Sequence, residues 1–244
     1  MLLLIDADIT AYSSCTRAEE EIRWDEDTWT VHTDLARAKE SFQYLLKTYQ
    51  EATGEKEFKL CFSGKDNYRK ALNPTYKSNR KGRKPVGYSA LKEWAMETYP
   101  SMCKDTLEAD DCMGILATKF PGKTIIVSMD KDMLTIPGKM YRTSPDGSGE
   151  WHTTDEKEAE YRFLLQSMTG DATDGYAGIP GVGPKKAEEL LKKHGAVWKT
   201  VEDAYLKAGL TKDDALLNAR MARILHAVDY DFENEQVKLW TPPN

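Results

Sequence analysis

The chain has 244 residues, room for one large domain or for a core with a smaller appended module. Its 40% hydrophobic and 10% aromatic content supplies a sizeable core, and no apolar run is long enough to cross a membrane. The formal charge of −6 does not exclude a polyanionic partner: Lys77, Arg80, Lys81, Arg83 and Lys84 form a basic run free of acids, and Lys185, Lys186, Lys192 and Lys193 form another.

Met1–Ile5 is too short and lacks the basic flank of a leader peptide, so Leu2–Asp8 (LLLIDAD) reads as a buried strand ending in acids. Asp34–Tyr49 reads as a helix, with Leu35, Ala38, Phe42, Leu45, Leu46 and Tyr49 at helical spacing, Asp34 as N-cap and Gly54 closing the unit. Phe58–Phe62 is a second strand. Residues 63–86 are polar, basic and rich in turn formers, which predicts a loop or a partly ordered helical insertion. Tyr88–Tyr99 is a helix ended by Pro100, Leu107–Phe120 another broken by Pro121-Gly122, and Lys123–Asp130 a further buried strand with acids behind it. From Asp155 the chain reads as mostly helical around a Gly/Pro-rich hairpin at Gly178–Pro184, and Val237–Asn244 as a short strand or loose tail. The order predicts an α/β core with a central, mostly parallel sheet, which binds ligands beyond the carboxyl ends of its strands. The cysteines (Cys15, Cys61, Cys103, Cys112) have neither CxxC nor zinc spacing and read as free thiols of a reducing cytoplasm.

Acids occur where those strands end or helices begin: Asp6 and Asp8 in IDAD, Asp66 in FSGKDNYR, Glu108, Asp110 and Asp111 in LEADD, Asp130 and Asp132 in SMDKDM, Asp171 and Asp174 in TGDATD. Each has a plain reading. LEADD suits a helix N-terminus, DKD a solvated turn, GDATD a capped helix end. Jointly they predict one pocket, in which packed carboxylates repel one another unless divalent cations relieve them. Oxygen donors suit Mg²⁺ or Mn²⁺. Two such ions roughly 3.5–4 Å apart can activate water and stabilise the leaving oxygen of a phosphodiester.

At this point the motifs resemble the 5′-nuclease family: flap endonucleases, phage 5′-exonucleases and the 5′-nuclease domains of bacterial DNA polymerases. The likeness runs in order from Leu3 to about Leu191. LLIDAD is similar to the family's first metal strand, LEADD to its EADD motif, SMDKDML to its GDKDLL motif and YKSNRK to the YKANR motif of its arch. MTGDATDGYAGIPGVGPKKAEELL is the most specific match. The resemblance implies a PIN-like 5′-nuclease core plus a C-terminal helix-hairpin-helix module. It implies that Asp6, Glu108, Asp110, Asp130 and Asp132 surround one metal, with Asp111 joining or supporting them. Asp171 and Asp174 would serve a second, and Lys77 and Arg80 the scissile phosphate. The family usually carries an acid at the position held here by Ser63; Asp66 substitutes for it, or that ligand is absent. Asp8 has no marked family role and reads as a supporting or structural acid. Boundaries of 1–165 for the core, with a basic arch or clamp near 66–95, 166–228 for the hairpin module and 229–244 for a tail follow.

In the hairpin, Gly181 and Gly183 let the backbone approach phosphate, the next helix presents free N–H groups, and Lys185 and Lys186 add charge, binding duplex DNA without reading bases. The family also holds K⁺ there. In the arch, Lys81, Arg83 and Lys84 interleave with Tyr68, Tyr76 and Tyr88, so that cations meet phosphates and Tyr76 stacks on unpaired bases. His32, His152, His194 and His226 lie outside these motifs, which argues against histidine chemistry. The implied partner is DNA with a 5′ end or flap, RNA-primed ends included, acted on by a monomer in the cytoplasm of a bacterial or phage-infected cell. Three other readings compete. A haloacid-dehalogenase-type phosphatase would use the DxDxT of Asp6–Thr10 but leaves LEADD, YKSNRK and the hairpin without roles. A DNA-binding protein that has lost catalysis leaves the acids unexplained. A PIN-type ribonuclease shares the core but normally lacks the hairpin.

Overall fold

The computed structural model describes residues 1–80 and 82–243. Strand β1 (Leu2–Asp6) runs directly into helix α1 (Ala7–Ala18), followed by a two-stranded ribbon, β2 (Glu19–Arg23) with β3 (Trp29–Thr33). Helix α2 (Leu35–Thr53) starts at Asp34, whose side chain accepts from the Ala36 and Arg37 amides, and stops at Gly54, where φ is 72°. Then come β4 (Phe58–Ser63), a short α3 (Tyr68–Leu72), α4 (Tyr88–Thr98), β5 (Ser101–Lys104), α5 (Ala109–Lys119) and β6 (Thr124–Ser128). A 3-10 turn at Lys131–Thr135 leads to the hairpin of β7 (Gly138–Thr143) and β8 (Gly149–Thr154). The rest is α6 (Glu156–Thr169), a tiny pair β9 (Gly170–Asp171) and β10 (Tyr176–Ala177), α7 (Pro184–His194), α8 (Trp198–Lys207), α9 (Lys212–Ala222) and a last pair, β11 (Tyr230–Asp231) and β12 (Gln236–Val237).

The main sheet has the order β5-β4-β1-β6-β7-β8, parallel throughout except for β7 against β8. Its central strands are apolar on both faces because both are covered. Leu3 and Ile5 pack with Leu60, Phe62, Ile125 and Val127 against α1, α2 and α4. Leu4, Cys61 and Ile126 point the other way, toward Met113 and Ile115 of α5. The chain leaves β1 in opposite directions to reach β4 and β6, so a crevice opens beyond the carboxyl ends of these three strands. Asp6, Ser63 and Ser128 mark those ends.

A third core joins Phe163, Leu164 and Met168 of α6 to α7, α8 and α9. The boundary expected at 165/166 thus falls inside α6, a continuous helix. The expected short strand near the C-terminus is β12, and beyond it Trp240 packs back on this core, its ring 5.1 Å from Phe163 and 5.0 Å from Trp198. The β2–β3 ribbon and the β7–β8 hairpin lie outside the expected elements. In the ribbon both faces are largely exposed, which leaves no alternation of apolar and polar residues to read.

Candidate active site

Each acid near the crevice is delivered by a local device. Asp6 closes β1 and caps α1, one oxygen accepting from the Ile9 amide (3.2 Å) and the other from the Ser128 hydroxyl (2.9 Å). The Ser128 oxygen accepts in turn from the Asp130 amide at 3.1 Å, tying the ends of β1 and β6 together. Asp130 caps the 3-10 turn by accepting from the Asp132 amide (2.8 Å), and Asp132 is held by Gln166 of α6 (2.8 Å). Glu108 is the N-cap of α5, with Asp110 in its first turn. Asp171 accepts from the amides of Thr173 (2.7 Å) and Asp174 (3.3 Å), which curls the loop between β9 and β10.

Opposite these acids stands the segment after α3. Lys77 contacts Glu108 through its ammonium group, which lies 3.6 Å from Asp174, and Arg80 donates to Asp174 at 2.5 Å. The Lys77 amide donates to the Asp174 carbonyl (2.8 Å), at a φ of 56° that non-glycine residues rarely adopt. Asp6, Glu108, Asp110, Asp130, Asp132, Asp171, Asp174, Lys77 and Arg80 therefore line one cavity of about 980 Å³.

The electrostatics match that crowding. Burial, then the neighbouring Asp8 charge, pushes the Asp6 carboxyl up to about 7. Burial and the charges of Asp6 and Asp130 push Asp110 well above the ordinary value, and burial with Asp130 lifts Asp132 to about 6. Glu108 goes the other way: burial works to raise it, but Arg69 and Lys77 outweigh burial and hold it at about 2. Carboxylates so strained by one another favour bound cations. Among the described residues no three acidic, histidine or cysteine side chains form a ready-made cage around one point. A wide ring of carboxylates still suits a hard divalent cation such as Mg²⁺, which keeps several waters and bridges to substrate phosphates instead of filling an all-protein cage. The donor set therefore fits such ions.

A scan against family models matches residues 1–163 to the 5′-3′ exonuclease, N-terminal resolvase-like domain. The chain belongs to the 5′-3′ exonuclease family. It is 31% identical to the exonuclease of Escherichia phage T7 over 282 aligned positions, covering 99% of this chain and 93% of that protein. It is 32% identical to flap endonuclease Xni of Shewanella amazonensis, covering 71% and 72%. The fold is that of the T5 5′-exonuclease solved with zinc ions, at a TM-score of 0.63 and 15% identity over 91% of this chain and 88% of that one. The chain is thus a nuclease, and the phosphatase reading of Asp6–Thr10 lapses; the Thr10 hydroxyl is spent on the Asp6 carbonyl (2.7 Å).

Two expected site residues, Asp66 and Asp111, lie outside the cavity, and Tyr76 lines it in a different role. Asp66 is exposed and does not line the cavity: the turn after β4 docks its backbone on the carbonyls of Leu107 and Asp105, and Gly64, which has no room for a side chain against Lys104, keeps that turn tight. Asp111, fully buried, faces away from the nuclease cavity, its oxygens taken by Arg69 (2.7 and 2.8 Å) and by the amides of Glu108 and Leu225. Tyr76 is 3% exposed and cannot stack on a base. Its hydroxyl bridges Glu108 (2.9 Å) and Asp174 (3.1 Å), joining the two groups of acids.

Of the basic run, Arg83 pairs with Glu19 (2.7 Å), Lys84 lies over the Tyr88 ring (4.3 Å), and Lys81 falls outside the described residues. In the hairpin, Gly181 takes a φ of 71°, Gly183 caps α7 with Pro184 at its first turn, and Lys185 and Lys186 are exposed. Ser63 lines the cavity, but its hydroxyl caps α5 by accepting from the Ala109 amide (3.0 Å).

Arg69 was missed by sequence reasoning. Its guanidinium is buried and spends all five N–H donors: on Asp111 twice, on Glu108 (3.3 Å), and on the carbonyls of Met221 (3.1 Å) and Arg223 (2.6 Å). It joins α3, the acidic helix α5 and the end of α9. Its only sequence signal is an arginine within a tyrosine-flanked basic run.

Proposed function

We propose that this chain hydrolyses DNA phosphodiesters at or near 5′ ends, leaving a 5′-phosphate, with two divalent cations, Mg²⁺ or Mn²⁺. The observation that carries this is the single cavity in which acids from four separate stretches face Lys77 and Arg80. Asp6, Glu108, Asp110, Asp130 and Asp132 would hold one ion, Asp171 and Asp174 the other. When bound, such ions make water nucleophilic and neutralise charge on the leaving oxygen. The residues do the rest. Ser128 and Gln166 aim Asp6 and Asp132. Lys77 and Arg80 meet the scissile phosphate as charge builds on it, and Tyr76 keeps Glu108 and Asp174 in register. Water attacks phosphorus, the bond to the 3′ oxygen breaks, and no enzyme-bound intermediate is needed.

The Gly181–Gly183 turn and the N-terminus of α7 would bind duplex phosphates, with a K⁺ bridging to the DNA and Lys185 and Lys186 alongside. Arg83 and Lys84 would follow the 5′ strand, whether DNA or an RNA primer. In this reading a monomer acts in the cytoplasm, with a nuclease core, a hairpin module and a C-terminal segment packed upon it; among the described residues no helix is long and apolar enough to cross a membrane. The test is incubation of a 5′-labelled duplex and a 5′-flap substrate with Mg²⁺, beside Asp130→Ala. Metal-dependent cleavage lost in the variant supports the reading; no cleavage of either substrate, or full activity in the variant, overturns it.

A further inference from the structure

Asp8 lines the cavity beside Asp6 and has no task in the reading above. It stands in the first turn of α1, half-buried, two residues past Asp6. Both of its oxygens are held: one accepts from the Tyr88 hydroxyl at 2.6 Å, the other from the Ser63 amide at 2.9 Å. Tyr88 begins α4 and Ser63 ends β4. Both donors are neutral, so they aim the carboxylate without cancelling its charge. Burial keeps the Tyr88 phenol protonated and therefore donating. The result is a carboxylate held in one orientation on the cavity wall.

A structural role alone would make Asp8 a bracket between α1, β4 and α4. A bracket could be built from any acceptor, whereas this one carries charge into a cavity already crowded with it. Ser63, at the neighbouring strand end, is neutral, and its hydroxyl is engaged by the Ala109 amide at the start of α5.

We propose that Asp8 is a cation-facing residue of the nuclease site, adding its charge to the ion held by Asp6, by accepting from that ion's water shell, with Tyr88 and Ser63 as the groups that orient it. The proposal rests on the metal-dependent reading above. A carboxylate in this position stabilises a hydrated divalent ion in the way that hydrogen-bonding partners around metal ligands generally do, where substitution costs about 10–100-fold in metal affinity.

The experiment is titration of the whole chain with Mn²⁺ in the absence of DNA, read by the loss of the free-ion electron paramagnetic resonance signal, alongside thermal melts. Asp8→Asn keeps the size and an acceptor oxygen but removes the charge. Tyr88→Phe removes an orienting donor and leaves the charge. We expect Asp8→Asn to weaken Mn²⁺ binding about 10–100-fold and Tyr88→Phe to weaken it by less. If Asp8→Asn lowers the melting temperature but binds Mn²⁺ as the wild type does, Asp8 is a bracket and the proposal falls. Equal weakening in both variants also overturns it, since orientation alone would then explain the loss. A wild-type chain that binds no Mn²⁺ would overturn the metal-dependent reading as well, which separates the two failures.

Discussion

Arg69→Met tests how the core and the helical module are joined. The substitution keeps an apolar stem but removes the guanidinium that meets Asp111, Glu108 and the carbonyls of Met221 and Arg223. Asp111 is 0% exposed, so its charge is left with only the amides of Glu108 and Leu225. Breaking a buried pair on one side costs about 3–5 kcal/mol, a large part of the roughly 5–15 kcal/mol that holds a folded chain together. For a chain of this size that corresponds to a fall in melting temperature of roughly 6–20 °C. Urea unfolding followed by circular dichroism measures it. Asp111→Asn alone leaves the arginine with Glu108 and the two carbonyls and should cost less than Arg69→Met. The double variant Arg69→Met/Asp111→Asn removes both charges and should lose less than the sum of the singles, by about 1–3 kcal/mol. A single-variant loss below about 1 kcal/mol, or strict additivity, would refute the buried pair as the joint.

Further outcomes follow from the same geometry. Asp6 at about 7 and Asp132 at about 6 lie above their ordinary 3.8, so the folded chain holds more protons than the unfolded chain between these values. Their contribution to stability is present below pH 4 and falls as pH rises toward 7. In thermal melts, Mg²⁺ should therefore stabilise the chain more at pH 8 than at pH 5; an equal or reversed effect contradicts the crowded-carboxylate account. Asp66→Ala should leave the cleavage rate within about twofold of wild type, as exposed sites away from such features usually do. Asp130→Ala forfeits several kcal/mol of metal-derived stabilisation, about a thousandfold or more in rate; comparable rates for the two variants in a gel assay would be fatal to the assignment. Replacing Lys185 and Lys186 by alanine should reduce the slope of log affinity for duplex DNA against log salt by about 0.9 per lost phosphate contact, and an unchanged slope removes them from the interface.

Where the sequence was legible, a backbone device and a chemical type coincided. Asp6 and Asp130 follow apolar strands, so their place beyond the sheet could be read directly. Glycines and two prolines at Gly178–Pro184 announced a turn opening a helix. Legibility failed where a decision lay in the third dimension. Asp110 and Asp111 are neighbours in LEADD, yet successive helical residues point about 100° apart, so one faces the cavity and the other the buried arginine. Tyr76 sits among cations and reads as a stacking residue, but docking against the loop of Asp174 buries it. Arg69 finds its acid 42 positions away, a separation that no local pattern reports. Asp66 has the right residue type on the wrong side of a turn fixed by backbone hydrogen bonds. Asp8, beside the best-read acid of all, shows its partners only once β4 and α4 are packed.

The most direct measurement is anomalous diffraction from crystals of the chain soaked with Mn²⁺ and a short 5′-phosphorylated duplex. Peaks are expected within the cavity, one among Asp6, Glu108, Asp110, Asp130 and Asp132 and one beside Asp171 and Asp174, with Lys77 and Arg80 turned toward a phosphate. Manganese bound only outside that cavity, at exposed acids such as Asp66, would contradict a two-metal nuclease site built from these carboxylates.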